Sequence, residues 1–243
     1  MKNYLSFFKV ILIVFPIFSY SQTQNISEDV YTLFDNTVGI DNIGIYNGVE
    51  YEVKFRAGNN THSYFNSPDF LKGSIDYDGE SYFGVNIKYN LYEQEVVAKM
   101  KNRNSAEVII TLFKDKINSF TVDNHKFIKI TKASSNSDNI FGFYEKSFIS
   151  PDLTLFIKHK KFKKDLYQNE QMYVEFVEAK KQYVLLYNKT YIELTSKKDI
   201  VSVFPNLKQE IDKFYRNNRL HRKTDYSQFL IQLLQELKQT KLK

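Results

Sequence analysis

Four histidines, His62, His125, His159 and His221, are the side chains of this chain best suited to moving protons near neutral pH. They are scattered, with no pair at a helical or strand spacing that suits a metal, and no zincin-like pattern. A Gly-x-Ser-x-Gly elbow, a Gly-x-Gly-x-x-Gly turn and a phosphate-cradling loop with Lys are all missing too. Catalytic triads assemble in space, so these absences leave catalytic residues unassigned. Asp76, Asp78 and Glu80 gather acids around one short stretch, where a carboxylate pair could serve glycan hydrolysis. Asp78 also suits a tight turn, and Asp76 and Glu80 the solvent face of its strands. No loop alternates oxygen ligands as a calcium site does, and with zero Cys there is no thiol nucleophile or zinc-thiolate site. Neither metal nor cofactor is expected.

Two basic clusters remain as candidate binding residues. Lys158, Lys160, Lys161, Lys163 and Lys164 place five lysines within seven positions. On a strand, Lys158, Lys160, Phe162 and Lys164 would share one face, with His159, Lys161 and Lys163 on the other. Neither face is apolar, which points to an edge strand or a protruding hairpin. Lysines there either guard the edge against aggregation or bind an anion. The second cluster, Lys213, Arg216, Arg219, Arg222 and Lys223, falls at the junction of two helical segments and is open to the same two readings.

The elements that must position these residues follow from periodicity. From Gly44 to Leu194, short aromatic and β-branched runs are separated by turn residues, a pattern of antiparallel strands. Asn47-Gly48 and Asp78-Gly79 predict type I′ hairpins, because both central residues need positive φ. Tyr187-Asn188-Lys189-Thr190-Tyr191 is a looser echo. Further strands are expected at Val85–Tyr92, Glu95–Met100, Val108–Phe113, Ser119–Val122 and Phe127–Ile130. Val85 to Leu91 alternates strictly, predicting one buried and one wet face. Thr131 to Asn139 reads as a surface loop.

After Leu194 the period becomes helical. Ser196 and Asp199 have capping-box spacing, Pro205 suits a helix start, and Leu207, Ile211, Phe214 and Tyr215 share a face. A last helix carries Phe229, Leu230, Leu233, Leu234 and Leu237 as its stripe. The fold class is therefore α+β: a predominantly antiparallel sheet, barrel- or sandwich-like, with two or three C-terminal helices packed on it.

Composition sets the frame. At 243 residues, 42% hydrophobic and 26% charged, with 21 Phe, 18 Tyr, 8 Gly and 4 Pro, the chain is globular rather than disordered or fibrous. Residues 1–21 carry Lys2 and Lys9, an apolar run from Val10 to Phe18, and Ser19-Tyr20-Ser21. That is the order of a signal peptide, too short for a bilayer span, with the mature start at Gln22. The divisions expected are 1–21 signal peptide, 22–43 an N-terminal segment with a short helix at Ser27–Phe34, 44–194 the β domain and 195–243 the helical region. Of the net charge of +6, the stretch from Ser196 to Lys243 alone holds 11 basic and 5 acidic residues, while 22–195 is slightly acidic.

The ordered set Tyr46-Asn47-Gly48-Val49-Glu50-Tyr51, Gly73-Ser74-Ile75-Asp76-Tyr77-Asp78-Gly79, Gly142-Phe143-Tyr144 and Phe204-Pro205-Asn206-Leu207-Lys208-Gln209-Glu210-Ile211 resembles a family of exported β-rich proteins of Bacteroidota. The resemblance implies an envelope address and a single β-rich unit with a helical C-terminus; it supplies no reaction and no site. Where that family often shows Gly-His-Pro-aromatic this chain has Thr61-His62-Ser63-Tyr64, and it has Asn90 in place of an Asp, which argues against catalytic roles for His62 and Asn90. The functional expectation is an accessory module of the periplasm or outer surface that binds an envelope protein or anionic glycan. No nucleic-acid partner is expected, and peripheral membrane contact fits the basic surface. The alternative is an envelope glycan or peptide hydrolase built on carboxylates.

Overall fold

A computed structural model of the chain describes residues 44–58, 60–102, 105–168 and 170–241. The expected signal peptide, N-terminal segment and Ser27–Phe34 helix fall outside the described residues. The strands are β1 Gly48–Glu50, β2 Leu71–Tyr77, β3 Glu80–Asn90, β4 Glu95–Lys101, β5 Glu107–Leu112, β6 Ile117–Val122, β7 His125–Ile130, β8 Gly142–Ile149, β9 Leu153–Lys158, β10 Lys161–Gln168, β11 Gln171–Glu178, β12 Gln182–Tyr187 and β13 Thr190–Glu193. The helices are α1 Lys132–Ser135, α2 Lys197–Val203, α3 Lys208–Asn217, α4 Arg219–Thr224 and α5 Tyr226–Lys241. Eleven strands form one sheet in the order β1-β5-β4-β3-β2-β6-β7-β8-β9-β12-β13, and β10 pairs with β11 alone. Every strand pairing is antiparallel. The sheet is open, with β1 and β13 at its two ends, so it does not close into a barrel.

Two-residue loops set the register. Asp78 and Gly79 take φ of 54° and 88°, and Asn188 and Lys189 take 48° and 62°, as type I′ turns require. Asp123 and Asn124, at 51° and 60°, make a third such turn, which no glycine marks in the sequence. Asn47-Gly48 does not make one. Gly44–Tyr46 is a 3₁₀ turn, and Gly48 lies in β1, which pairs with β5 rather than with a neighbouring hairpin arm. Glycine is needed there for close approach: a Cβ on Gly48 would sit 2.7 Å from the Thr111 carbonyl oxygen.

The sheet curls strongly. Tyr89 on β3 and Phe143 on β8 meet at 6.0 Å between ring centroids, although four strand spacings of about 4.8 Å separate their strands in the sheet order. Inside the curl, Tyr77, Tyr89, Phe120, Phe127 and Phe143 form the heart of one hydrophobic core. A second core joins Leu155, Ile157 and Leu185 to Phe229, Leu230, Leu233, Leu234 and Leu237, so α5 is docked on the sheet. Phe127, Glu145 and Ile157 stand opposite one another on β7, β8 and β9 and so share a face. The two cores therefore lie on the same face, with Glu145 at the seam between them. The reverse face carries a smaller cluster of Ile130, Tyr144, Phe156 and Val184.

Two further expectations need correction. The wet face of β3 is covered: Lys88 and Asn90 are buried. The Lys88 ammonium lies over the rings of Tyr64, Phe70 and Tyr51 at 4.0, 4.5 and 5.1 Å, all from the segment that precedes or opens β2. The expected loop at Thr131–Asn139 holds the short helix α1, capped by Thr131 accepting from the Ser134 N–H, with the buried Ser135 hydroxyl donating to the Ile140 carbonyl at 2.6 Å. The C-terminal region is helical as expected: α2, α3 and α5 bury side chains in the second core, and the short α4 joins α3 to α5. The Asp199 carboxylate caps α2 by accepting from the Ser196 and Thr195 N–H groups at 2.7 and 2.8 Å.

Candidate functional site

The first lysine cluster is divided by the fold. Lys158 ends β9 and is buried; its ammonium donates to the Phe141 carbonyl and lies over the Phe141 and Tyr144 rings. Burial, with Lys160 nearby, lowers it to about 8. Lys161 starts β10 in the separate two-stranded sheet and donates to the His62 and Tyr64 carbonyls at 2.9 and 3.0 Å, pinning that segment from within. Lys163 pairs with Asp165 at 2.8 Å. Only Lys160 and Lys164 face solvent without an ion pair among the described residues.

The second cluster stays together and stays outside. On α3, Ile211, Phe214 and Tyr215 turn inward, which sends Lys213 and Arg216 outward. The short α4 buries no side chain and continues the surface with Arg219, Arg222 and Lys223. Lys213, Arg216, Arg219 and Lys223 are exposed, and the Arg222 guanidinium lies 5.3 Å from the centre of the Tyr215 ring. None of the five is in an ion pair among the described residues, and the neighbouring Asp212 is paired with Lys197 instead. Leu220, in their midst, is 76% exposed.

A different group lies at the seam. His125 on β7 precedes Phe127 by two residues, and His159 follows Ile157 by two, so both fall diagonally beside Glu145 on its face. The Glu145 oxygens receive His125 Nδ1 at 2.7 Å and His159 Nε2 at 2.6 Å. Burial alone would push Glu145 up, but the hydrogen bonds and charge of His159 and His125 outweigh it and hold the carboxyl at about 2. An ionised carboxylate has no proton to give. Facing an ionised carboxylate, both bonded ring nitrogens act as donors. Phe65 covers the group, its ring 5.1 Å from each imidazole. A cleft of about 540 Å³ opens here between the sheet and the start of α5, lined among others by His125, Glu145, His159, Lys181 and Ser227. The Ser227 hydroxyl is 3.1 Å from that of Tyr183 and accepts from Lys181 at 3.4 Å.

The acids around the Asp78-Gly79 turn are already engaged. Asp76 accepts from Ser81 and Ser119, Asp78 pairs with Lys116, and Glu80 accepts from Tyr82. Asn90 is structural: its side-chain oxygen accepts from the Tyr92 and Glu93 N–H groups. His62 and His221 join neither histidine of the seam; the first accepts from the Tyr64 N–H and the second lies on α4. Among the described residues no three acidic or histidine side chains converge to hold a metal, and no helix is long and apolar enough to cross a membrane. Compared with known proteins, the chain matches no family model, no curated protein and no solved structure.

Proposed function

We propose that the chain is an exported binding module of a bacterial envelope, and that its partner is an anionic glycan held on the corner formed by α3 and α4. The observation that carries this reading is the contrast between the two basic clusters. The lysines of β9 and β10 are mostly spent on carbonyls, rings and Asp165, whereas none of the five cations of α3 and α4, which flank the exposed Leu220, is in an ion pair among the described residues. A field of one sign attracts a polyanion from a distance, and arginine forks bind carboxylate or sulfate oxygens in pairs. The signal-peptide order of residues 1–21 and the resemblance to exported β-rich proteins support the address. The engaged state of Asp76, Asp78 and Glu80 gives no support to a hydrolase built on those carboxylates.

The test is binding to polygalacturonate by fluorescence anisotropy. Affinity should fall tenfold or more in R216E/R219E/K223E and stay within about twofold in K160E/K164E. It should also weaken steeply with salt, as screening lengths shrink from about 10 Å at 0.1 M to about 3 Å at 1 M. Equal affinity of the triple variant and the parent would overturn the reading.

A further inference from the structure

We infer that the cleft between β7–β9 and α5 is a hydrolytic site, in which His125, oriented by Glu145, takes a proton from water to cleave an acyl ester. This is a different part of the molecule from the basic corner, and the two readings stand or fall separately.

The geometry supplies a base and its orienter. His125 gives Nδ1–H to Glu145, which leaves the Nε2 lone pair with no partner among the described residues. Its side chain is 39% exposed and lines the cleft, so water and substrate reach it. His159 is only 9% exposed. It acts through Glu145, as a positioning residue that keeps the carboxylate ionised and fixed. Buried charge at a seam between two hydrophobic cores serves packing less well than an apolar side chain of equal volume would. Such groups gather where chemistry is done.

The same geometry selects the reaction class. Glycoside cleavage requires a protonated carboxylic acid, and Glu145, held ionised by two N–H donors, is not one. A carboxylate-oriented imidazole is instead the base of acyl transfer. His125 Nε2 removes a proton from water as the oxygen adds to the ester carbonyl carbon. The carbonyl oxygen becomes an oxyanion, and Lys181, which lines the same cleft, supplies the positive charge that stabilises it. The tetrahedral intermediate then collapses, the bond to the alcohol oxygen breaks, and His125 returns its proton to the leaving alcohol. The products are a carboxylic acid and an alcohol. A volume of about 540 Å³ suits an ester of a sugar-sized alcohol. The other titratable groups that line the cleft with His125 are Glu145, His159, Glu178, Lys181 and Asp225.

The assay is hydrolysis of 4-nitrophenyl acetate and 4-methylumbelliferyl acetate by the mature chain. The parent should turn both over faster than free imidazole at equal concentration. In H125N, kcat/KM should fall about 100-fold while the protein still melts cooperatively, and the rising limb of the pH–rate profile should vanish. H159N should keep that limb but move it, because Glu145 then has one donor instead of two. Y167S, at the far tip of the β10–β11 ribbon, should hydrolyse at the parent rate. E145Q should match H125N; if it fails to fold, H125N and the pH profile decide. An H125N protein as fast as the parent, or a parent no faster than free imidazole, would overturn the inference.

Discussion

Glu145 concentrates what the residue scale adds to this chain. Its folded state lies at about 2 against an ordinary 4.5, so it contributes stability that is fully present above about pH 4.5 and is lost as the pH falls towards 2. Replacing it by Gln removes that contribution and sets an amide N–H₂ against a ring N–H. At pH 7, E145Q should be less stable than the parent by on the order of 2 to 3 kcal/mol, with the gap closing between about pH 5 and pH 2. Chemical denaturation across that range checks it, and a gap that does not narrow in acid would mean Glu145 is not ionised in the fold. None of this was legible in the sequence. His125 and His159 are 34 positions apart, and only the registers of Phe127 to Glu145 and Glu145 to Ile157 bring them to one carboxylate. The lysine run misled for the converse reason. Neighbours in sequence were separated by the end of β9 at Lys158 and the start of a new ribbon at Lys161.

At the scale of elements, the sequence spoke clearly wherever a local rule had no tertiary rival. Asp78-Gly79 suits two positive φ values and its turn forms, and the looser echo at Asn188-Lys189 takes the same shape. Asn47-Gly48 has the same chemistry, yet its glycine answers to the Thr111 carbonyl instead, a neighbour that pairing with β5 alone could reveal. The alternation of Val85 to Leu91 was read correctly as a strand. The burial of its second face depends on Tyr51, Tyr64 and Phe70, whose rings fold over Lys88 from another part of the chain. The hairpin gives a clean comparison. A Cβ on Gly79 would touch nothing within 4 Å, so Gly79→Val is penalised through the backbone alone, by about 1 to 3 kcal/mol. Ser81→Val loses only the hydrogen bond to Asp76, worth about 0.5 to 1.5 kcal/mol. Denaturant midpoints should place G79V below S81V; equal midpoints would contradict the type I′ assignment.

The whole molecule is held together by the docking of α5. Phe229, Leu230, Leu233, Leu234 and Leu237 are all buried against β9, β12 and the other C-terminal helices. Each contributes roughly 1.5 to 3 kcal/mol before the entropy of ordering, a sum comparable with the stability of a typical domain. Deleting Asp225–Lys243 should therefore abolish the cooperative melt rather than free a partner-seeking tail; a truncated protein that melts like the parent would show the docking to be dispensable. This stripe was legible because its period of 3.6 residues is local and its partner surface is broad. On the same framework, α3 and α4 hold Lys213, Arg216, Arg219 and Lys223 outward, with Arg222 over the Tyr215 ring, and the proposed function rests on that corner. The most direct test follows amide chemical shifts of residues 22–243 during titration with an oligogalacturonide. The account expects the perturbed resonances to concentrate between Lys213 and Lys223, with those of residues 160–164 unmoved. Shifts centred on residues 160–164, or no shifts at 0.1 M salt, would contradict it.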